Sequence, residues 1–484
     1  MRIITNALLL LCFALSVAAQ EGPKWDLRRC VEYAMANNVS VKDADINARV
    51  SAIILKQSQL QQIPSLGFNL NHGLAFGRSL DRTTNVYTDR SQMFESMVLQ
   101  SNVNIFNWSS QKNTISANKY GYEADKAAVD KAKNDIGLLV ARQYLITLLS
   151  LETSEVNQVQ LNTTQLQLQN TRKLVDAGSL PELNAAELEA QVARDSATLI
   201  QSLAQFEIEK LTLKGLLNLP ADTPFDIDTP PVESIPVDNI LEQSPSVVYA
   251  LALKTQPQVK GNNLRLMASE KNYKANKGRL YPTISAFGQL NSQFGSPFKQ
   301  LTGFNRTGER PTEAFVKNGA TNLPVYTPTG NLVFEGVGLG AIWNGYGSQL
   351  KDNFGQTVGI GINVPIFNGW QARSTVERSK LDIERSKLAI TRDTLQLKQD
   401  VYNAYQQAYG SFQTFVAREK QVRTAERTYE LANKRYEVGV MQTIEWLQNQ
   451  NNLTRARIDK LIAQYDYVFK MKVLEFYKGQ GVRL

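Results

Sequence analysis

The chain has one histidine, His72. A Ser-His-Asp relay needs an imidazole between nucleophile and carboxylate, and zinc sites usually take several His or Cys ligands. His72 lies within an alternating apolar run, which suits neither. Of the two cysteines, Cys12 falls in an N-terminal apolar stretch and Cys30 is left alone, so there is no disulfide framework. Gly336-x-Gly338-x-Gly340 imitates a phosphate loop but has no helix behind it. Carboxylates alternate with bases, as in Glu377-Arg378 and Glu384-Arg385, which is the pattern of a solvated helix face. No catalytic, cofactor-binding or metal-binding residue is assigned, and the chain is read as not an enzyme.

The elements that carry these residues say more. Arg2, the apolar run Ala7 to Ala19 and the ending Val17-Ala18-Ala19 read as a cleaved secretory signal over 1–19. The run is too short to span a bilayer, and Leu11 before Cys12 argues against a lipid anchor. Mean hydropathy is −0.29, which excludes a polytopic helical membrane protein. The net charge of +8 is spread along helices rather than gathered in a stripe, so no nucleic acid is expected as a partner.

Two segments alternate with period two. Leu66, Phe68, Leu70, His72, Leu74 and Phe76 share one face, with Gly67, Asn69, Asn71, Gly73 and Ala75 on the other. Met97, Leu99, Val103 and Ile105 alternate with small or polar residues in the same way. Such strands suit a membrane barrel. They predict a β-hairpin over 64–107, with 77–90 as its turn. A second hairpin, over 282–368, returns through Val358, Ile360, Ile362, Val364 and Ile366. Between its strands, 295–352 is rich in Gly, Pro, Asn and Thr and reads as a long loop, or as a hairpin tip with some strand of its own. Phe106, Trp108, Phe367 and Trp370 close the strands and suit a membrane–water boundary.

The chain also repeats itself. Asn102-Val103-Asn104-Ile105-Phe106-Asn107 returns as Asn363-Val364-Pro365-Ile366-Phe367-Asn368, and Gly178 returns as Gly439, at one offset (363 − 102 and 439 − 178 both equal 261). The first repeat is placed at 20–219 and the second at 246–477. A Pro-rich linker, 220–245, joins them, and 478–484 is a tail. In each repeat a long proline-free helix runs to a glycine and turns back, which predicts helical hairpins with tips near 178 and 439. Leu388, Leu395, Tyr402, Tyr409 and Val416 form a heptad seam, with Tyr405 and Phe412 in its second position. Four strands cannot close a barrel, and open edges are not viable in lipid, so other chains must complete the sheet.

With this order of elements, the strand end Ile366-Phe367-Asn368-Gly369 and the tip Tyr436-x-x-Gly439, the chain resembles the outer-membrane efflux protein family, the TolC-like channels of bacteria. The resemblance covers essentially the whole mature chain. It implies a mainly α protein with a membrane β-barrel. Long antiparallel coiled-coil helices would form an α-barrel, and four strands per chain would join a trimeric twelve-stranded β-barrel. The implied role is the exit duct of a tripartite efflux or type I secretion system, in the outer membrane with its helices in the periplasm. The implied partners are two further copies of the chain, outer-membrane lipid, a periplasmic adaptor (a membrane fusion protein) and an inner-membrane pump of RND, ABC or MFS type. No cofactor is implied. The other readings are a periplasmic coiled-coil adaptor and a structural coiled-coil protein; neither explains paired membrane-type strands.

The family closes its tip with acids six and nine residues after the glycine and a tyrosine three before it. The matching residues are Glu445, Gln448 and Tyr436, so one acid of the pair is missing. On the other hairpin Asn184 stands where an acid is expected, and Glu187 lies nearby. Adaptor docking is expected at Gly178, Gly439, Val438, Val440 and Met441.

Overall fold

The computed structural model describes residues 24–479 apart from 82–85, 90–91, 232–234, 236, 298 and 339. The signal segment and residues 480–484 lie outside the described residues. The chain divides into a helical unit (Met1–Leu55, Ser116–Lys271, Ser379–Leu484) and a strand unit (Lys56–Ile115, Asn272–Arg378).

The helices form two series of equal lengths. The first is α1 (Leu27–Asn37, 11 residues), α2 (Val39–Leu60, 22), α3 (Ser110–Asp176, 67) and α4 (Glu182–Leu216, 35). The second is α5 (Pro245–Thr255, 11), α6 (Pro257–Gly278, 22), α8 (Gln371–Glu437, 67) and α9 (Thr443–Tyr477, 35). One non-helical residue breaks each short pair. The Asn38 side-chain amide donates to the Leu216 carbonyl at 2.9 Å, and that of Gln256 to the Phe476 carbonyl at 3.2 Å. Each break is therefore tied to the end of its own return helix, whose last carbonyls lack helical partners. Each long helix ends at a glycine with positive φ, 71° at Gly178 and 76° at Gly439. Ser179 N–H donates to Leu174 O at 2.8 Å and Val440 N–H to Arg435 O at 3.0 Å, the six-to-one bond of a Schellman turn.

The helical unit has three buried clusters. The largest joins α1 (Leu27, Cys30, Val31, Ala34) to Val140, Tyr144 and Leu148 of α3 and to Tyr465 and Val468 of α9. The buried Tyr144 hydroxyl donates to the Asp228 carbonyl at 2.6 Å. Burial pushes the Cys30 thiol up to about 12. A second cluster packs α5 against Val401 and Ala408 of α8 and Met471 and Leu474 of α9. Here the structure departs from the predicted seam. Tyr405 and Phe412 do face this cluster, but the stripe from Leu388 to Val416 stays exposed in the single chain, Leu388 at 70%. The buried residues 401 and 408 precede 402 and 409, so a different stripe of α8 is used inside the protomer.

In the strand unit, β1 (Ser65–Ala75), β4 (Gln92–Phe106), β5 (Thr283–Pro297) and β8 (Gly355–Asn363) form one antiparallel sheet in the order β1-β4-β5-β8. Its edges, β1 and β8, have no further strand among the described residues. The registers Leu70↔Met97, Leu99↔Leu290 and Leu290↔Gln356 gather the apolar sets of the strands on one face. There Leu66, Phe68 and Ile360 are exposed, and Val358 reaches 89%. β8 ends at Asn363, short of the predicted Ile366, because Pro365 has no N–H for a ladder.

Two predicted connections contain further strands. The turn 77–90 holds a small hairpin, β2 (Arg78–Asp81) with β3 (Val86–Asp89). The segment 295–352 holds a long one, β6 (Lys299–Asn318) with β7 (Thr321–Gly336). Register shifts at Leu301/Gly303, Arg306/Gly308 and Pro311/Phe315 absorb the glycines and proline that had suggested loop. Gly319, with φ 61°, makes the tight turn. A short helix, α7 (Tyr346–Asp352), follows.

Candidate functional site

The helical tip is organised around Trp446, which is 1% exposed. It packs with Leu447 of its own helix, with Leu188 and Leu168 of the first hairpin, and with Tyr429, Tyr436 and Met441. The Tyr436 ring stacks on Trp446 at 5.3 Å, and the Trp446 indole donates to Asn433 Oδ1 at 3.0 Å. The Tyr436 hydroxyl lies 3.4 Å from Thr171 Oγ1 on the first hairpin and 3.3 Å from Thr443 Oγ1 on the second. Burial raises the neighbouring Tyr429 phenol above its usual range.

Of the expected tip residues, Tyr436 and Met441 pack in this cluster and the others do not. Glu445 and Gln448 share an exposed face of α9, turned away from the buried Trp446, Leu447 and Gln450, and neither side chain has a hydrogen-bond partner among the described residues. Asn184 and Glu187 are half-buried on α4, with no side-chain hydrogen-bond partner among the described residues. Gly178 and Gly439 are exposed, as are Val438 (71%) and Val440 (63%). Met441 instead packs on the Trp446 cluster.

Above the cluster the two hairpins meet through polar contacts. Gln191 donates to Asn451 at 3.3 Å, Gln450 to Thr164 at 3.3 Å and Thr454 to Gln160 at 2.5 Å. The buried Asp195 carboxylate accepts from Thr164 and from Gln191, each at 2.7 Å. Across the first tip, Arg172 bridges Glu182 and Glu189, and hydrogen bonds to these carboxylates raise its guanidinium pKa. Sequence reasoning missed Trp446, Arg172 and this polar seam. A tryptophan seven residues beyond Gly439, in a helix of mostly polar residues, was the available signal.

The strand ends carry aromatic groups. Phe106 meets Trp108 edge-on at 5.3 Å, Trp108 meets Tyr281 at 4.9 Å, and the Trp108 indole donates to the Pro282 carbonyl at 2.8 Å. Phe367 and Trp370 are exposed. At the other end of the sheet, His72 Nδ1 lies 3.1 Å from Glu95 Oε2, Tyr346 donates to Glu95 Oε1 at 2.5 Å, and Trp343 stacks on His72. At about 3.3 Å per residue, the stretch of β4 from Glu95 to Phe106 is roughly 36 Å long. Tilted by about 40° it would span about 28 Å, close to the apolar band of an outer-membrane barrel.

The described residues thus comprise an open-edged sheet with one apolar face and two coiled-coil hairpins of equal lengths. Residues 338–479 match the model of the outer membrane efflux protein family. Over 94% of its length the chain also has the fold of solved outer-membrane channels. The Campylobacter jejuni CmeC outer membrane channel is 15% identical, with 86% of its chain covered and a TM-score of 0.68. The outer membrane protein VceC of Vibrio cholerae is 13% identical, with 97% covered and 0.69. The Neisseria gonorrhoeae MtrE outer membrane channel, in its open state, is 19% identical, with 88% covered and 0.67. No curated protein sequence matches the chain.

Proposed function

We propose that three copies of this chain form the outer-membrane exit duct of a tripartite efflux system, passively conducting cargo from a periplasmic adaptor and inner-membrane pump to the cell exterior. The observation that carries this is the four-stranded sheet, apolar and exposed on one face and open at both edges. Lipid covers such a face, but in lipid the free N–H and C=O groups of β1 and β8 need strands from neighbouring copies. The exposed α8 stripe from Leu388 to Val416 gives those copies a second surface to share. The repeats 20–219 and 246–477 then supply two hairpins of equal reach to one periplasmic mouth.

At that mouth three copies of Glu445 form the constriction, and Tyr436 braces the tip behind it. The apolar Val438 and Val440, with Gly178 and Gly439, dock the adaptor. Outer-membrane fractionation with heat-modifiable trimers tests the assembly, and a monomer in the soluble periplasm would refute it. Glu445→Ala should raise single-channel conductance in planar bilayers and weaken block by multivalent cations; no change in either removes Glu445 from the constriction. Val440→Asp should abolish crosslinking to the adaptor, and undiminished crosslinking would move docking elsewhere.

A further inference from the structure

One fifth of the chain is charged, yet β1, β4, β5 and β8 hold no lysine or arginine and one carboxylate, Glu95. Glu95 and His72 are cross-strand partners, and both lie on the apolar face, at its end, paired with each other and with Tyr346. The opposite face carries no ionisable group. The registers Gln100↔Gln289, Asn71↔Ser96 and Gln289↔Thr357 fill it with amides and hydroxyls, interspersed with glycines.

Val98 is on this face too, and the two aromatic groups of the face lie against glycines. A Cβ on Gly73 would sit 3.0 Å from the Phe94 ring, and one on Gly359 would sit 2.6 Å from the Phe287 ring. Each ring therefore rests across the neighbouring strand, where a side chain would otherwise lift it away from the sheet.

If the apolar face meets lipid, as the duct reading on which this rests requires, the uncharged face lines the lumen. Charged rings are what make pores favour one sign of ion, and low-dielectric walls strengthen their field. Amides both donate and accept, so they solvate either sign. We infer that the barrel section of this duct is an uncharged, amide-lined conduit that passes cationic, anionic and neutral polar solutes alike, its choice of cargo charge being made elsewhere along the path.

The test uses single cysteines in the full-length assembly purified in detergent. Gln289→Cys and Asn291→Cys lie on the uncharged face, and Leu290→Cys lies on the apolar one. Cys30 is fully buried and adds no background. Each variant is treated with cationic and anionic methanethiosulfonates of similar size. At Gln289→Cys and Asn291→Cys the ratio of the two rates should match that of a small free thiol within about threefold. Adding Gln100→Glu, the cross-strand neighbour of position 289, should shift the ratio toward the cation by roughly tenfold. A departure of tenfold or more without the added carboxylate overturns the uncharged conduit and leaves the duct intact. Reaction at Leu290→Cys with none at Gln289→Cys or Asn291→Cys reverses the faces and overturns the duct reading itself.

Discussion

Replacing Trp446 by alanine should loosen the helical tip selectively. The side chain is almost wholly enclosed, stacked on Tyr436, tilted against Tyr429 at 6.0 Å and bonded to Asn433. Burying a ring that size removes about 200 Å² from water, or about 5 kcal/mol at 25 cal/mol per Å². Measured truncations of buried Trp or Phe fall at about 3–5 kcal/mol. Global stability is a poor readout in a large assembly of two units. Local opening is better, because among the described residues this small cluster and polar contacts hold the tip. Amides of 429–450 and of 164–191 should exchange faster by about 10²–10³, since each 1.4 kcal/mol is a decade. Amides around Tyr144 should be unchanged, because that core is separate. Trp446→Phe should recover most of the protection. Unchanged exchange at the tip in Trp446→Ala would show that the two hairpins are held together by something other than this cluster.

Three further predictions rest on single positions. Gly439→Ala should destabilise the tip by about 1–2 kcal/mol, since the positive φ penalises a Cβ, whereas Gly410→Ala, exposed in the interior of α8 with open space around it, should stabilise by up to about 1 kcal/mol. Urea titration of the two variants compares them, and equal effects of one sign would refute the argument. Gly359→Ala should push the Phe287 ring off the sheet and lower single-channel conductance, with Phe287→Ala restoring it; a conductance indifferent to both would take that face out of the lumen. Cys30 should resist thiol reagents at pH 8.5 until the protein unfolds. Its folded pKa is raised to about 12, so its contribution is complete below the unfolded thiol's pKa and is lost as pH rises from there toward 12. Rapid native labelling at pH 8.5 would contradict this.

Patterns with a short period were legible in the sequence. The alternation from Leu66 to Phe76 requires only that one face of a strand be apolar, and Gly178 and Gly439 require only a turn that tolerates positive φ. The composition of 295–352 leaves loop and strand both open, because glycine and proline suggest irregular backbone while Phe304, Phe315, Val325 and Tyr326 favour strands; the structure forms the hairpin, and register shifts accommodate the interruptions. The α8 seam misled. A helix carrying apolar residues on more than one stripe has several partners, and periodicity does not say which partner belongs to the same chain.

The sequence by itself determined the classes of element, the duplication, the helical turning points and the two chemically different faces of the strands, because each depends on residues close along the chain. Only the tertiary structure decided that Val401 and Ala408, rather than Tyr402 and Tyr409, turn inward, and that Tyr436 meets Trp446 and Thr171 while Glu445 stays exposed. It alone paired β4 with β5 to join the two copies in one sheet, and set His72 against Glu95. These contacts link residues from 10 to 265 positions apart, and all of them join different elements, so they depend on packing between segments, which local propensity does not encode.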